Sequence, residues 1–161
     1  MSGTTCSNVP SWRSEPPLST SGALPPGLAP GDRVVLFDGV CRLCSAWVRW
    51  LLKADRHARL RLATMQSPAG QAILTWYGLP SDQYESMLVV DNGRLHQKST
   101  AFLHILRQLP LPWRAGLVLR AVPRPVRDWV YDRVARNRYR WFGRHDQCLV
   151  PDPARAERFL D

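Results

Sequence analysis

Residues 34 to 52, VVLFDGVCRLCSAWVRWLL, change their apolar period in mid-stretch, and that change limits the folds open to the chain. From Arg33 to Phe37 the run is β-branched and apolar, suited to a strand buried on both faces. It stops at Asp38-Gly39. From Cys41 onward, Cys44, Trp47, Val48 and Leu51 fall at i, i+3, i+4 and i+7, one stripe of an amphipathic helix that ends near Ala54. Two cysteines three apart therefore straddle a strand-to-helix junction.

The pattern continues in kind. ARLRLATM, residues 58 to 65, alternates Leu60 and Leu62 against Arg59 and Arg61, as a strand does. SPAGQAILTWYG reads as a helix, with Ser67 as N-cap, Pro68 at the first helical position and Gly78 at the stop. SMLVVDNGRLHQK holds two extended runs around Asn92-Gly93, a pair suited to a type I′ hairpin turn because both central positions need positive φ. STAFLHILRQL, with Ser99 as N-cap and Ala101, Phe102, Ile105 and Leu109 along one side, reads as a helix. Beyond Pro110 the chain is helical in pattern and basic: WRAGLVLRAV, then PVRDWVYDRVARNRYRWFG, where Val126, Val130 and Val134 repeat every fourth residue. Prolines at 110, 112, 123 and 125 mark the breaks. The order βαβαββα with C-x-x-C at the first strand-to-helix junction predicts an α/β chain with a thioredoxin-like mixed sheet and a helical C-terminal extension.

With 161 residues, 45% of them hydrophobic, one domain is expected, spanning 31–150. Residues 1–30, rich in Ser, Thr, Pro and Gly, read as a disordered tail that carries Cys6 and Trp12 incidentally, and 151–161 as a short C-terminal tail. No window approaches the roughly 20 apolar residues of a membrane span, and the first 30 residues lack a secretory pattern, so cytoplasmic residence is the simplest reading. The net charge of +9 would suit nucleic acid or an anionic membrane, yet 20 of the 22 basic residues are arginine, with only Lys53 and Lys98 as lysine. Genome base composition produces such a bias unaided, and no nucleic-acid motif accompanies it, so no nucleic-acid partner is expected. In the basic C-terminal segment Val130, Val134 and Trp141 are expected to face the domain, and Asp128 and Asp132 to pair with Arg136. The rest reads as a solvated basic face, with an acidic partner protein as the rival account. His57, His96 and His104 lack ligand partners at useful spacing and are expected on the surface or in helices.

The cysteines carry the chemistry. At a helix start the first of them, Cys41, faces unpaired backbone N–H groups and the positive end of the dipole, which can lower a thiol pKa from about 8.5 into a range of roughly 3.5 to 7.5. Cys44 lies one turn along, close enough to displace a substrate thiol from a mixed disulfide. Cys41 is then the attacking sulfur, being nearer the exposed end, and Cys44 the resolving one, with Arg42 adding positive charge between them. Asp38 has two readings: proton exchange with a sulfur, or a carboxylate capping the following turn. The implied substrate is a disulfide or a thiol, a protein among the candidates, and the scheme calls for no cofactor and no metal.

The stretch DGVCRLC, with Asp38, Cys41 and Cys44 in the pattern D-x-x-C-x-x-C, resembles the signature of the DCC family of thiol-disulfide oxidoreductases. DNGRLHQKSTAFLHILRQL and VPRPVRDWVYDRVARNRYRWFG, followed by Cys148, are similar to that family's hairpin, next helix and C-terminal segment, so the resemblance covers roughly residues 33–148. It implies a thioredoxin-like fold with a helical C-terminal extension and dithiol redox activity. One departure from thioredoxins concerns the cis-proline that precedes their third strand and faces the cysteines. Here Pro80 falls too early, and Glu85 or Ser86 would take the facing position, a polar residue that changes how peptide is held and leaves room for a metal.

Two rivals remain at this stage. Zinc is one, because His145-x-x-Cys148 repeats the ligand gap of Cys41-x-x-Cys44, though about a hundred residues separate the pairs, far from the compact spacing of small zinc modules. Cys148 also reads as a third thiol or a plain buried cysteine. The other rival is a binding module in which the cysteines merely pack. That account suits Cys44 on its apolar stripe better than Cys41 beside Asp38, Gly39 and Arg42.

Overall fold

A computed structural model describes residues 24–82, 86–146 and 153–160. The expected tail up to residue 23, with Cys6 and Trp12, lies outside the described residues, as do Glu85 and Cys148.

Strands β1 (Arg33–Phe37), β2 (Arg61–Thr64), β3 (Leu88–Asp91) and β4 (Arg94–Gln97) form one sheet in the order β2-β1-β3-β4. β1 runs parallel to β2 and antiparallel to β3, and β3 pairs antiparallel with β4. Helices α1 (Arg42–Ala54), α2 (Pro68–Trp76) and α3 (Lys98–Gln108) join and flank the strands, so the fold is the expected thioredoxin-like βαβαββα unit. A 3-10 helix over Trp113–Ala121 and a fourth α-helix, α4 (Arg124–Phe142), make the C-terminal extension.

β1 is buried on both faces, and its alternation sorts the core into two layers. Val35 and Phe37 meet Val48 and Leu51 of α1 and Ala101 and Ile105 of α3, while Val34 and Leu36 meet Ile73 and Leu74 of α2 on the opposite face. β2 begins later than the alternation from residue 58 predicts, because the backbone N–H groups of Arg59 and Leu60 donate to the Asp55 carboxylate at 3.2 and 3.0 Å instead of joining the ladder. Ser67 caps α2 as expected, its hydroxyl accepting the N–H of Gly70 at 3.1 Å. Asn92 and Gly93 sit at φ 50 and 79, as a type I′ hairpin requires.

The start of α3 departs from expectation. It begins at Lys98 with Gln97 as its uncapped N-cap, and the Ser99 hydroxyl donates to Asp128 of α4. Asp132 likewise takes Lys98 Nζ at 2.9 Å, and Asp128 pairs with Arg124 Nε at 3.5 Å. Neither aspartate serves Arg136 as the spacing predicts: α4 lies across the start of α3, and the acidic pair fastens it there. An aromatic row binds the extension to the domain, Trp113 edge-on to Trp50 at 4.7 Å, Trp50 on Trp47 at 4.5 Å, and Trp47 against Phe102 at 5.1 Å. Each such pair adds about 0.5–1.5 kcal/mol beyond its burial. Two other expectations for α4 fail, since Trp141 and Val130 are 54% and 50% exposed. Arg138, not a valine, is the residue this helix buries most deeply.

Residues Pro153–Arg158 form a second 3-10 helix, and the two residues after it meet β2, Phe159 in a parallel bridge with Leu62. Leu160 N–H donates to the Leu62 carbonyl at 2.8 Å, Phe159 packs edge-on to Phe37, and Arg158 pairs with the buried Asp55.

Candidate functional site

Because β1 ends in the core and only four residues separate it from α1, the connecting turn brings Asp38, Cys41 and Cys44 to one end of the sheet. Cys41 is the N-cap of α1, and its sulfur accepts the backbone N–H of Cys44 at 3.4 Å. A sulfur thus takes one of the unpaired donors of the first helical turn, a place usually held by an oxygen. The hydrogen bond donated by the Cys44 thiol, helped by that backbone N–H and the Arg138 charge and opposed by burial and Asp38, brings the Cys41 pKa down from 9.0 to about 6. Cys44 is pushed up, first because it is the donor to Cys41 and then because it is desolvated beside the Cys41 charge. The two thiols hold their first negative charge on Cys41 and keep the proton on Cys44.

Asp38 is 1% exposed. Its Oδ1 accepts the N–H of Val40 at 3.1 Å and Nε2 of Gln66 at 2.7 Å, and its Oδ2 accepts Nη2 of Arg138 at 3.2 Å and the Tyr139 hydroxyl. The Val40 bond is the turn-capping role named among its two readings. Among the described residues no hydrogen bond joins Asp38 to either sulfur. Its link to the thiols runs through Arg138, whose Nη1 donates to Cys44 Sγ at 3.5 Å. Burial, and then the bond to Asp38, raise the Tyr139 pKa, so its hydroxyl keeps its proton.

The C-terminal segment folds back over the start of α1, a hundred residues away in sequence. Gly143 ends α4 at φ 81 and ψ −177, a conformation open to glycine and closed to most other residues. Its carbonyl accepts the N–H of Arg42 at 3.4 Å, the N–H of His145 donates to the Val40 carbonyl at 2.7 Å, and Cys41 and Arg144 form an antiparallel bridge. The Arg144 guanidinium lies over the Tyr139 ring at 4.5 Å. These residues act as a strap. Under it Cys41 is 0% exposed, whereas Cys44 is only half-buried, the reverse of the exposure expected from their positions along the helix.

Cys44 opens instead on an apolar cleft of about 520 Å³ between α1, α3, the 3-10 helix and α4. On the side where a substrate backbone would pair in thioredoxins, Met87 N–H donates to the Tyr131 hydroxyl at 2.9 Å, and Ser86 is half-buried. His145 reaches the helix start through its backbone. Among the described residues no three His, Cys, Asp or Glu side chains converge as metal ligands would. His104 Nε2 donates to the Asp91 carboxylate at 2.5 Å and its ring stacks on His96, away from the cysteines.

The family of DCC1-like thiol-disulfide oxidoreductases matches residues 35–144, and the chain belongs to it. It is 43% identical over 129 residues to the uncharacterized protein YuxK of Bacillus subtilis (strain 168), covering 80% of this chain and 94% of that one. It is also 40% identical over 116 residues to a DCC family protein of Arabidopsis thaliana described as chloroplastic, covering 71% of this chain and 67% of that one. No solved structure matches.

Arg138, Tyr139, Gln66 and the strap were not singled out from the pattern. One signal was present for Arg138: the row Val126, Val130, Val134 steps by four, and the next member of the row is Arg138. A charged residue continuing an apolar row calls for a buried partner, and Asp38 is that partner.

Proposed function

We propose that the protein is a thiol-disulfide oxidoreductase in which Cys41 and Cys44 exchange a dithiol for a disulfide with a protein or small-molecule substrate. The observation that carries the reading is the placement of both cysteines at the start of α1, where the Cys41 sulfur caps the helix by accepting the Cys44 N–H at 3.4 Å, a setting that brings the Cys41 thiol down to about 6. In the reducing direction the Cys41 thiolate attacks one sulfur of the substrate disulfide, and the released substrate thiolate takes a proton. Cys44 then gives up its proton and attacks Cys41 Sγ, which closes the Cys41–Cys44 disulfide and frees the second substrate thiol. Two electrons pass to the substrate together with one proton from Cys44 and one from solvent, since Cys41 enters as the thiolate, and the reverse sequence oxidises a dithiol. Electrons move between sulfurs, so no cofactor enters.

Access to Cys41 in this scheme requires residues 143–145 to lift from the start of α1. Asp38 assists by anchoring Arg138, whose charge faces the Cys44 sulfur and favours its ionisation when it must attack. The compartment we propose is the cytoplasm, whose thiol pool would return the pair to its reduced form between turnovers. Incubation with a disulfide substrate tests the roles. Cys44→Ser should accumulate a mixed disulfide through Cys41, and Cys41→Ser should not. Equal trapping by both variants refutes the assignment, and trapping by neither refutes the exchange.

A further inference from the structure

Thiol exchange uses only the Cys44 end of the apolar cleft, and the remainder of its lining is specific. Its walls are built of Leu43, Trp47, Phe102, Leu119, Val126 and Val130. Two side chains of this lining carry N–H groups that are shielded from solvent and have no partner among the described residues, the indole Nε1 of Trp47 and the Nε and Nη1 of Arg127. A buried donor left without a partner is destabilising, and more so when it is charged. The lining's oxygens are engaged elsewhere: the Ser99 hydroxyl donates to Asp128, and the Tyr131 hydroxyl accepts the N–H of Met87. Asp128, the carboxylate next to Arg127 in sequence, is taken by Ser99 and Arg124. The cleft therefore offers apolar surface, N–H donors and one uncompensated positive charge.

We propose that this cleft binds an amphiphile with an aliphatic or aromatic body and a single carboxylate, the body lying on the apolar walls and the carboxylate accepting from Arg127. A volume of about 520 Å³ falls within the roughly 300–1,000 Å³ of small-ligand sites. Cys44, the resolving sulfur, forms part of the same lining, and its N–H bonds the Cys41 sulfur at 3.4 Å, so the inference, which rests on the exchange reading above, makes the preferred substrate a disulfide of an apolar mercaptocarboxylic acid whose body lies in the cleft and whose sulfur reaches Cys41 once residues 143–145 lift. The exchange steps and their electron balance are unchanged, and the cleft supplies the selectivity.

Calorimetric titration with octanoate and octanol tests the site without any thiol chemistry. Octanoate should bind saturably and at least about tenfold more tightly than octanol, the preference a charge-assisted hydrogen bond provides. Arg127→Met should abolish the preference, bringing octanoate to the affinity of octanol in the same variant. Val130→Asp, at a half-exposed position on the cleft wall, should weaken both ligands without unfolding the chain. Absence of saturable octanoate binding, equal affinity for the two probes, or a preference that survives Arg127→Met would each overturn the proposal. A second arm compares the single-turnover rates at which the disulfides of 8-mercaptooctanoate and 2-mercaptoethanol oxidise the reduced protein. Faster reaction of the former, lost in Arg127→Met, supports the substrate class. Octanoate binding with both disulfides inert would leave the site standing and remove the exchange reading. Equal exchange on both disulfides without octanoate binding would do the opposite.

Discussion

Replacing Arg138 by methionine removes one half of a buried ion pair and keeps most of the side-chain volume. Arg138 and Asp38 have side chains 6% and 0% exposed, with Nη2 and Oδ2 3.2 Å apart. After the substitution Asp38 still accepts from Val40, Gln66 and Tyr139, but its charge is buried without a counter-charge. Breaking one side of a buried pair costs about 3–5 kcal/mol, and the three surviving donors argue for the lower part of that range, so a loss of about 3 kcal/mol is expected. Against a total stability of about 5–15 kcal/mol, the variant should remain folded in buffer. The assay is urea unfolding of the reduced protein followed by tryptophan fluorescence, with Asp38→Asn and the double variant completing a cycle. The double variant should be less destabilised than the sum of the singles by about 2 kcal/mol, because a neutral amide in place of the carboxylate no longer needs a cation. A loss below about 1 kcal/mol for Arg138→Met, or strict additivity, would refute the argument that this pair ties α4 to the thiol end of the sheet.

The same Arg138→Met variant should shift cysteine alkylation to higher pH, since its charge lowers both thiols. In the reduced wild type the alkylation rate of Cys41 should rise with a midpoint near pH 6, and a midpoint near 9 would contradict the site electrostatics. The sign for stability follows from the same shift: with the folded pKa below the unfolded one, the Cys41 contribution is present above pH 9 and is lost as pH falls through about 6, which reduced-state unfolding between pH 5 and 9 would register. Gly143→Ala forces a side chain into a φ of 81 and should cost about 1–3 kcal/mol while loosening the strap, so Cys41 should be alkylated several-fold faster. An unchanged rate would show that residues 143–145 do not control access.

Much of the fold was legible because its signals are local. The change of period across Cys41, the Ser67-Pro68 helix start and the Asn92-Gly93 turn each fix backbone conformation within a few residues, and the structure keeps all three. Ser99 was misjudged because its hydroxyl has a charged acceptor, Asp128, that only the packing of α4 on α3 supplies. The position of the 3-10 helix Trp113–Ala121 is equally non-local, since its Trp113 stands edge-on to Trp50 of α1. At the site, the cysteines and Asp38 stand out by spacing alone. Burial of Cys41 does not, since it depends on residues 143–145 returning across a hundred residues of sequence to cover it. The apolar cleft has the same origin. Val130 reads as a residue facing the domain, but α4 stands off along this row and leaves it, with Val126, as one wall of an opening that ends at Cys44.

The most direct test of the central claim is the oxidation state of Cys41 and Cys44 at equilibrium across a glutathione redox series, read by thiol alkylation and intact mass. The account predicts one reversible transition at a single midpoint, with the loss of two hydrogens and formation of a Cys41–Cys44 disulfide, which disappears in either Cys→Ser variant. A pair that forms no such disulfide anywhere in the series would contradict it.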